Sequence, residues 1–272
     1  MLLIDAGNTR IKLGRLLGKG RRREAGALAI AHGELDLLPA WLETLTPQPE
    51  GAVGVSVAGA AMAARIERMM QQVCGISVRW MSSTPSAAGL VNLYDEPAQL
   101  GADRWVSLIG LASHTSSAAI LATFGTATTV DALGPCLTGT TQEPGGGQAG
   151  GGRRFEGGII LPGPELMRQS LAKGTAGLPY AQGTSVPLPR NTHAAISSGI
   201  AAAQAGAVLR QWQAAADTLG LVPQLYCAGG GWPMVSTEVQ VALARAQAQL
   251  GVPCVAPQWL DAPVLDGLAV LA

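Results

Sequence analysis

Apolar positions along this 272-residue chain fall into short runs, several of which lead into a glycine turn. Leu2 to Asp5 is the first, and Ile11 to Leu17 resumes the pattern after a Gly-Asn turn, which predicts an opening β-hairpin. Leu37 to Leu45 reads as a helix, and the β-branched run Ala52 to Val57 as a buried strand. Ala60 to Val73 has helical spacing, with Met62, Ile66, Met69, Met70 and Val73 on one side, a stripe that reads as core. Val78 to Met81 is a short strand, and a helix is expected over Pro97 to Leu111.

The second part of the chain repeats the opening. Ala118 to Leu121 runs as a strand into Phe124-Gly125-Thr126, and Thr128 to Leu133 follows as its hairpin partner. Two halves of related fold are expected, 1–115 and 116–272. Cys136 to Gly152 reads as a flexible loop or hairpin tip. Gly157 to Leu161 is a strand, and Pro164 to Lys173 a helix with proline in its first turn and Gly174 after its end. A long Ala-rich helix covers Thr192 to Leu219, and a strand, Leu225 to Ala228, ends in Gly229-Gly230-Gly231. Val239 to Leu250 is a helix, and Val264 to Leu271 closes the chain as a helix or strand. Strands alternating with helices give an α/β fold.

Composition narrows the function classes. Hydrophobic residues make up 48% and charged residues 13%, which excludes disorder as the main state. A formal net charge of +0 argues against a nucleic-acid binder. The basic runs Lys19 to Arg23 and Arg153-Arg154 sit beside glycines and read as solvated loop charge. No apolar run reaches the ~18 residues of a membrane span. The first apolar run meets Asp5 at once, which favours a strand over a signal peptide. Cys74, Cys136, Cys227 and Cys254 are far apart and read as reduced, mostly buried thiols of a cytoplasmic protein. His32, His114 and His193 show no metal-ligand spacing. With 36 glycines and 4% aromatics, small aliphatics must fill the core, and glycines must serve turns and close approaches.

Three glycine turns stand out. In Asp5-Ala6-Gly7-Asn8-Thr9 a strand delivers a carboxylate to its end and a glycine lets backbone approach a ligand. Amides and the Thr9 hydroxyl can donate to phosphate, and Asp5 can hold Mg²⁺ directly or through water. An ordinary Asx-type turn is the plainer reading of that segment alone. Phe124-Gly125-Thr126-Ala127-Thr128-Thr129 is a second such turn, and the triplet at Gly229 a third. Together they would hold a nucleotide between two halves of a cleft. Gly101-Ala102-Asp103-Arg104 opens a helix. It can be a capping ion pair, or a base for an alcohol beside an arginine for an anionic substrate.

This set resembles the type III pantothenate kinases of the acetate kinase/sugar kinase/Hsp70/actin superfamily. The matching pieces, in family order, are Asp5-x-Gly-Asn-Thr, Tyr94 with Gly101-x-Asp103-Arg104, and Gly125-Thr126-Ala127 with Asp131. Gly157-Gly158-Ile159 with Pro162-Gly163, Thr175-Ala176-x-Leu178-Pro179 and Gly229-Gly230 complete the series. The resemblance implies duplicated ribonuclease-H-like (actin-like ATPase) domains, mixed sheets flanked by helices, and a cytoplasmic homodimer with its active site near the interface. It implies ATP-dependent phosphorylation of pantothenate, the first step of coenzyme A biosynthesis, with no nucleic acid or membrane partner. By the same resemblance Asp103 is the general base, and Tyr94, Gly101, Ala102, Arg104 and Thr175 form the pantothenate pocket. Asp5, Ala6, Gly7, Asn8, Thr9, Arg10, Ile11 and Lys12 would meet ATP. So would Gly125, Thr126, Ala127, Thr128, Gly229 and Gly230. Asp5 would also serve Mg²⁺, and Asp131 a monovalent cation (K⁺ or NH₄⁺).

One departure stands out: many members carry Asp two residues before the Gly-Thr-Ala turn, where this chain has Thr123. Weaker metal-ATP binding is the expectation, since Mg²⁺ often needs only one or two carboxylates. A kinase of another small alcohol and a non-catalytic regulatory relative remain open alternatives at this level.

Overall fold

The computed structural model describes residues 1–16, 23–136 and 152–272. Lys19 to Arg22, and all but the ends of the Cys136 to Gly152 stretch, lie outside the described residues. The chain forms two compact units.

The first unit opens with β1 (Leu2–Ala6), β2 (Arg10–Arg15) and β3 (Leu28–Ala31), an antiparallel series. A 3-10 turn, His32–Leu37, leads into α1 (Leu38–Glu43). Then come β4 (Ala52–Ser56), α2 (Ala60–Cys74) and β5 (Val78–Trp80). The sheet order is β3-β2-β1-β4-β5, with β4 parallel to β1 and β5 parallel to β4. A short hairpin of β6 (Ser86–Ala87) and β7 (Leu90–Asn92) follows, then α3 (Ala102–His114).

The second unit begins with β8 (Ala119–Phe124), β9 (Ala127–Leu133) and β10 (Arg153–Pro162), again antiparallel in sequence. After α4 (Pro164–Gly174) and α5 (Thr192–Leu219) come β11 (Gln224–Ala228), α6 (Trp232–Gln249) and β12 (Gln258–Trp259). Here the order is β10-β9-β8-β11-β12, with β11 parallel to β8 and β12 parallel to β11. The strand order repeats that of the first unit, so the duplicated ribonuclease-H-like architecture is present. The core lies between the sheet and the helices α5 and α6: Ile120, Val130, Val208, Trp212, Leu225 and Val239 are buried together. The Trp212 indole N–H donates to the Pro223 carbonyl at 2.7 Å, which satisfies the one polar atom that burial would strand.

Several expectations change in the structure, among them the helix expected over Pro97 to Leu111, which begins only at Ala102 after a 3-10 turn at Pro97–Gln99. Arg153 is not solvated loop charge. It lies on β10, 6% exposed, donating from Nε to Gly134 O at 3.0 Å and from Nη2 to Ser117 O at 2.6 Å. A buried guanidinium is tolerable when carbonyls accept its protons. Helix α6 starts at Trp232, earlier than Val239, because Pro233 sits in the first turn, where its missing N–H costs nothing. Of the cysteines only Cys227 is buried, with its thiol pushed upward by burial; Cys136 and Cys254 are exposed.

The last helix, α7 (Pro263–Leu271), belongs with the first unit, which joins Met1–Ser116 to Ala262–Ala272. It crosses α3 at two glycines. A Cβ on Gly110 would strike the Pro263 carbonyl oxygen, and one on Gly267 the Val106 carbonyl oxygen. Only two bare Cα atoms let these backbones approach so closely. Side chains alternate across β1. Leu2, Ile4 and Ala6 pack with Leu38, Leu42, Ile66 and Met70 of α1 and α2. Leu3 packs on the other face with Val53, Val55, Val106, Leu265 and Leu268. Asp5 therefore shares the face that α3 and α7 cover.

Candidate active site

In the first unit the site grows from the β1–β2 turn. Gly7 N–H donates to Arg10 O at 3.1 Å, closing the hairpin and leaving Asn8, Thr9 and Arg10 exposed. His32 Nε2 lies 2.8 Å from Gly7 O. A carbonyl only accepts, so Nε2 carries the proton and pins the turn from outside the hairpin. Asp5 pairs in register with Lys12 on β2, which puts both side chains on one face. Burial pushes the Asp5 carboxyl up to about 6; the Lys12 charge opposes the rise and the Asp103 charge adds to it. Ala6 and Ile11 are fully buried and act as support for the turn.

Asp103 enters from the first turn of α3. Its Oδ1 accepts the Arg104 backbone N–H at 2.8 Å. A Cβ on Gly101 would sit 2.7 Å from that same Oδ1, so the N-cap glycine makes room for the carboxylate to fold back over the helix start. Ala102 is the first residue of the helix. Arg104 is buried, donates from Nη1 to the Tyr94 hydroxyl at 2.8 Å, and lies with Cζ 5.6 Å from the ring centroid of Tyr94. Asn92 orders the loop between: its Nδ2 donates to Ser83 Oγ at 3.1 Å, and its Oδ1 accepts Tyr94 N–H at 3.1 Å.

In the second unit three glycine segments converge. Gly125 N–H donates to Ala127 O at 3.0 Å, closing the β8–β9 turn, and Gly125, Thr126 and Ala127 are exposed. Gly163, just past β10, donates its N–H to Thr126 O at 2.9 Å, and a Cβ there would strike the Gly125 oxygen. Gly231 N–H donates to Phe124 O at 2.9 Å. Gly229 has φ +95° and would carry a Cβ into the Phe124 backbone, so this position requires glycine. Gly230 is exposed, at the start of α6, where the helix dipole favours an anion.

The remaining predicted residues are placed as follows. Thr128 is fully buried on β9 and can meet a ligand only through its neighbours. Asp131 is 1% exposed on β9, opposite Leu121 and Gly158. Thr175 is exposed; its hydroxyl donates to Leu171 O at 2.8 Å and accepts Leu178 N–H at 3.3 Å, finishing α4. Thr123 lies on β8 between Thr129 and Ala228. Asp5, Asn8, Thr9, Lys12, Tyr94, Asp103 and Arg104 belong to the first unit; Gly125, Thr126, Gly229, Gly230, Asp131 and Thr175 belong to the second. Sequence reasoning missed His32 and Asn92, because neither lies in a motif and each acts through a fold-dependent contact.

The donors suit metal-ATP. Among the described residues no group of three or more His, Cys, Asp or Glu could hold a metal ion. Mg²⁺ on a nucleotide needs no such cage, only one or two carboxylates beside the phosphates. Asp5, whose burial makes its charge costly without a cation, fits that role. Among the described residues no helix is long and apolar enough to cross a membrane.

A sequence profile of the type III pantothenate kinases matches residues 1–145 and 149–214. A type III pantothenate kinase from Bordetella petrii is 48% identical over 275 residues, covering 100% of this chain and 97% of its own. One from Bordetella bronchiseptica is 44% identical over 277 residues, covering 100% and 97%. Among solved structures, a candidate 2-dehydro-3-deoxygalactonokinase from Sinorhizobium meliloti superposes with a TM-score of 0.51 at 17% identity, covering 98% of this chain and 96% of that one. That likeness bears on the fold alone. The profile spans most of the chain, and relatives 44–48% identical cover all of it; the chain belongs to the type III pantothenate kinase family.

Proposed function

We propose that this chain transfers the γ-phosphoryl group of ATP to the primary alcohol of pantothenate, opening coenzyme A biosynthesis. The observation that carries this reading is the placing of two carboxylates in the first unit. Asp5 lies on β1 beside the exposed glycine turn, and Asp103 lies in the first turn of α3 with its Oδ1 held by Arg104 N–H. One carboxylate serves the phosphates and the other the acceptor alcohol. Asp103 takes the hydroxyl proton as the new oxygen–phosphorus bond forms and the bond to the bridging oxygen of ADP breaks. Its Oδ1 is already engaged by Arg104 N–H, which leaves Oδ2 for the alcohol. Arg104, oriented by Tyr94, binds the pantothenate carboxylate. In the first unit Asn8 and Thr9, and in the second Gly125, Thr126, Gly229 and Gly230, offer backbone and hydroxyl donors to phosphate oxygens. Mg²⁺, when bound beside Asp5, neutralises phosphate charge. Asp131 serves a K⁺ or NH₄⁺ ion.

A homodimer belongs to the same reading. Met167, Leu171 and Leu178 face Ile196 and Ile200 across an open apolar groove between α4 and α5, with Leu188 82% exposed beside its rim residue Pro189. A second copy gives such a surface a partner.

The experiment is an ADP-release assay with pantothenate, ATP and Mg²⁺, run with K⁺ or NH₄⁺ and again with Na⁺ alone. Pantothenate-dependent turnover that needs K⁺ or NH₄⁺ is expected. Equal turnover in Na⁺ removes the monovalent site, and no turnover in any ion overturns the kinase reading. Arg104→Lys is expected to raise the pantothenate KM about tenfold, because a point charge replaces a planar fork. The ATP KM should hold. An unchanged pantothenate KM contradicts the assignment.

A further inference from the structure

We propose that Gln204 is a positioning residue for the glycine turn of the second unit, a role that rests on reading Gly125-Thr126 as phosphate-facing. Gln204 sits in the middle of α5 and is 0% exposed, on a helix face otherwise made of Ala, Val, Ile and Trp. Its Nε2 donates to the Pro162 carbonyl at 2.8 Å and lies 3.4 Å from Met167 Sδ on α4. Its Oε1 is buried and has no hydrogen-bond partner among the described residues. A half-satisfied amide in an apolar core costs stability, and a methionine of similar shape would avoid that cost. Packing alone therefore gives no reason for glutamine here, whereas the contact to Pro162 does.

Pro162 ends β10, and Gly163 stands between it and Pro164. Neither proline has an N–H, so the corner has one backbone donor, Gly163, and it goes to Thr126 O. The same glycine packs against the Gly125 oxygen. The chain of contacts runs from Gln204 to the Pro162 carbonyl, through Gly163, to both turn residues. Releasing the carbonyl frees the corner to rotate and shifts the amides that meet phosphate. Gln204 touches neither substrate, and its effect falls on nucleotide binding.

The test is Gln204→Met, measured with Gly125→Val as a reference that blocks backbone approach to phosphate. For Gln204→Met the ATP KM is expected to rise about tenfold, with pantothenate KM and kcat within about twofold. The thermal midpoint should stay level or rise. An ATP KM within about twofold of wild type overturns the proposal, as does a parallel rise in both KM values with a lowered midpoint. Should the methionine variant fail to fold, Gln204→Glu replaces it. A protonated glutamic acid can donate to Pro162 O and an ionised one cannot, so its ATP KM must fall toward wild type as pH drops; no such trend overturns the proposal. If Gly125→Val leaves the ATP KM unchanged, the phosphate reading fails and the role of Gln204 with it. Wild-type turnover with pantothenate separates either failure from failure of the kinase reading.

Discussion

Asp103→Asn is expected to lose about 10²–10⁴-fold in kcat while remaining folded, because that is the usual worth of a general base. The structure makes this a clean substitution. Among the described residues the carboxylate takes one backbone hydrogen bond, Oδ1 accepting Arg104 N–H at 2.8 Å, and an asparagine oxygen can accept the same bond. The helix start, the buried Arg104 and its bond to Tyr94 are therefore kept. What the amide cannot do is take a proton from the alcohol. Both KM values should move little, since the amide nitrogen that replaces Oδ2 can donate to the alcohol oxygen, so that contact reverses direction and is not lost outright. Removing the Asp103 charge also lowers the Asp5 pKa, because that charge is one of the two influences raising it. A pH titration of Asp5 by NMR in the variant reads this directly. Near wild-type kcat would sink the assignment of Asp103.

Asp5→Asn is expected to trade activity for stability. The Asp5 carboxyl is held at about 6 against an ordinary 3.8, mainly by burial. The folded protein thus binds more protons than the unfolded chain between those values, so stability falls as pH rises through that window. By pH 7 the ionised group costs on the order of 1–3 kcal/mol in the ligand-free protein. Asparagine removes that cost. The variant should show a higher urea midpoint than wild type at pH 7.5, with the gap closing as pH falls toward 4. Its kcat/KM for ATP should drop by about 10²–10³, the scale of losing one preorganised electrostatic partner of the transferred phosphoryl. A variant that is less stable at pH 7.5, or that retains wild-type kcat/KM, would contradict this account.

Much of the local structure was legible in the sequence because its signals are short-range. Alternation and a glycine turn mark both hairpins, β1–β2 and β8–β9, and helical spacing marks α2 and α5 to within a residue or two. The Gly-x-Asp-Arg element at the head of α3 was legible for the same reason: the glycine clears space for the aspartate two residues on. Where a residue's environment depends on distant partners, local reading failed. Arg153-Arg154 looks like loop charge until Gly134 and Ser117 supply carbonyls to Arg153. His32 looks unremarkable until the fold sets its ring on the Gly7 carbonyl.

The sequence by itself determined which groups could do chemistry. Asp5 reads as the end of an apolar run before a glycine turn, Asp103 as part of the Gly-x-Asp-Arg element, and Gly125 and Gly229 as residues that follow strands, because each of those features is set by a few adjacent residues. Only the tertiary structure decided that the Asp103 charge adds to the rise of the Asp5 carboxyl. The face of β1 that Leu3 and Asp5 share is covered by α3 and α7, which cross at Gly110 and Gly267. Apolar periodicity says that a helix must bury one face. Which sheet face receives it depends on shape matching between segments far apart in the chain, and backbone contact at two glycines is visible only once both helices are in place.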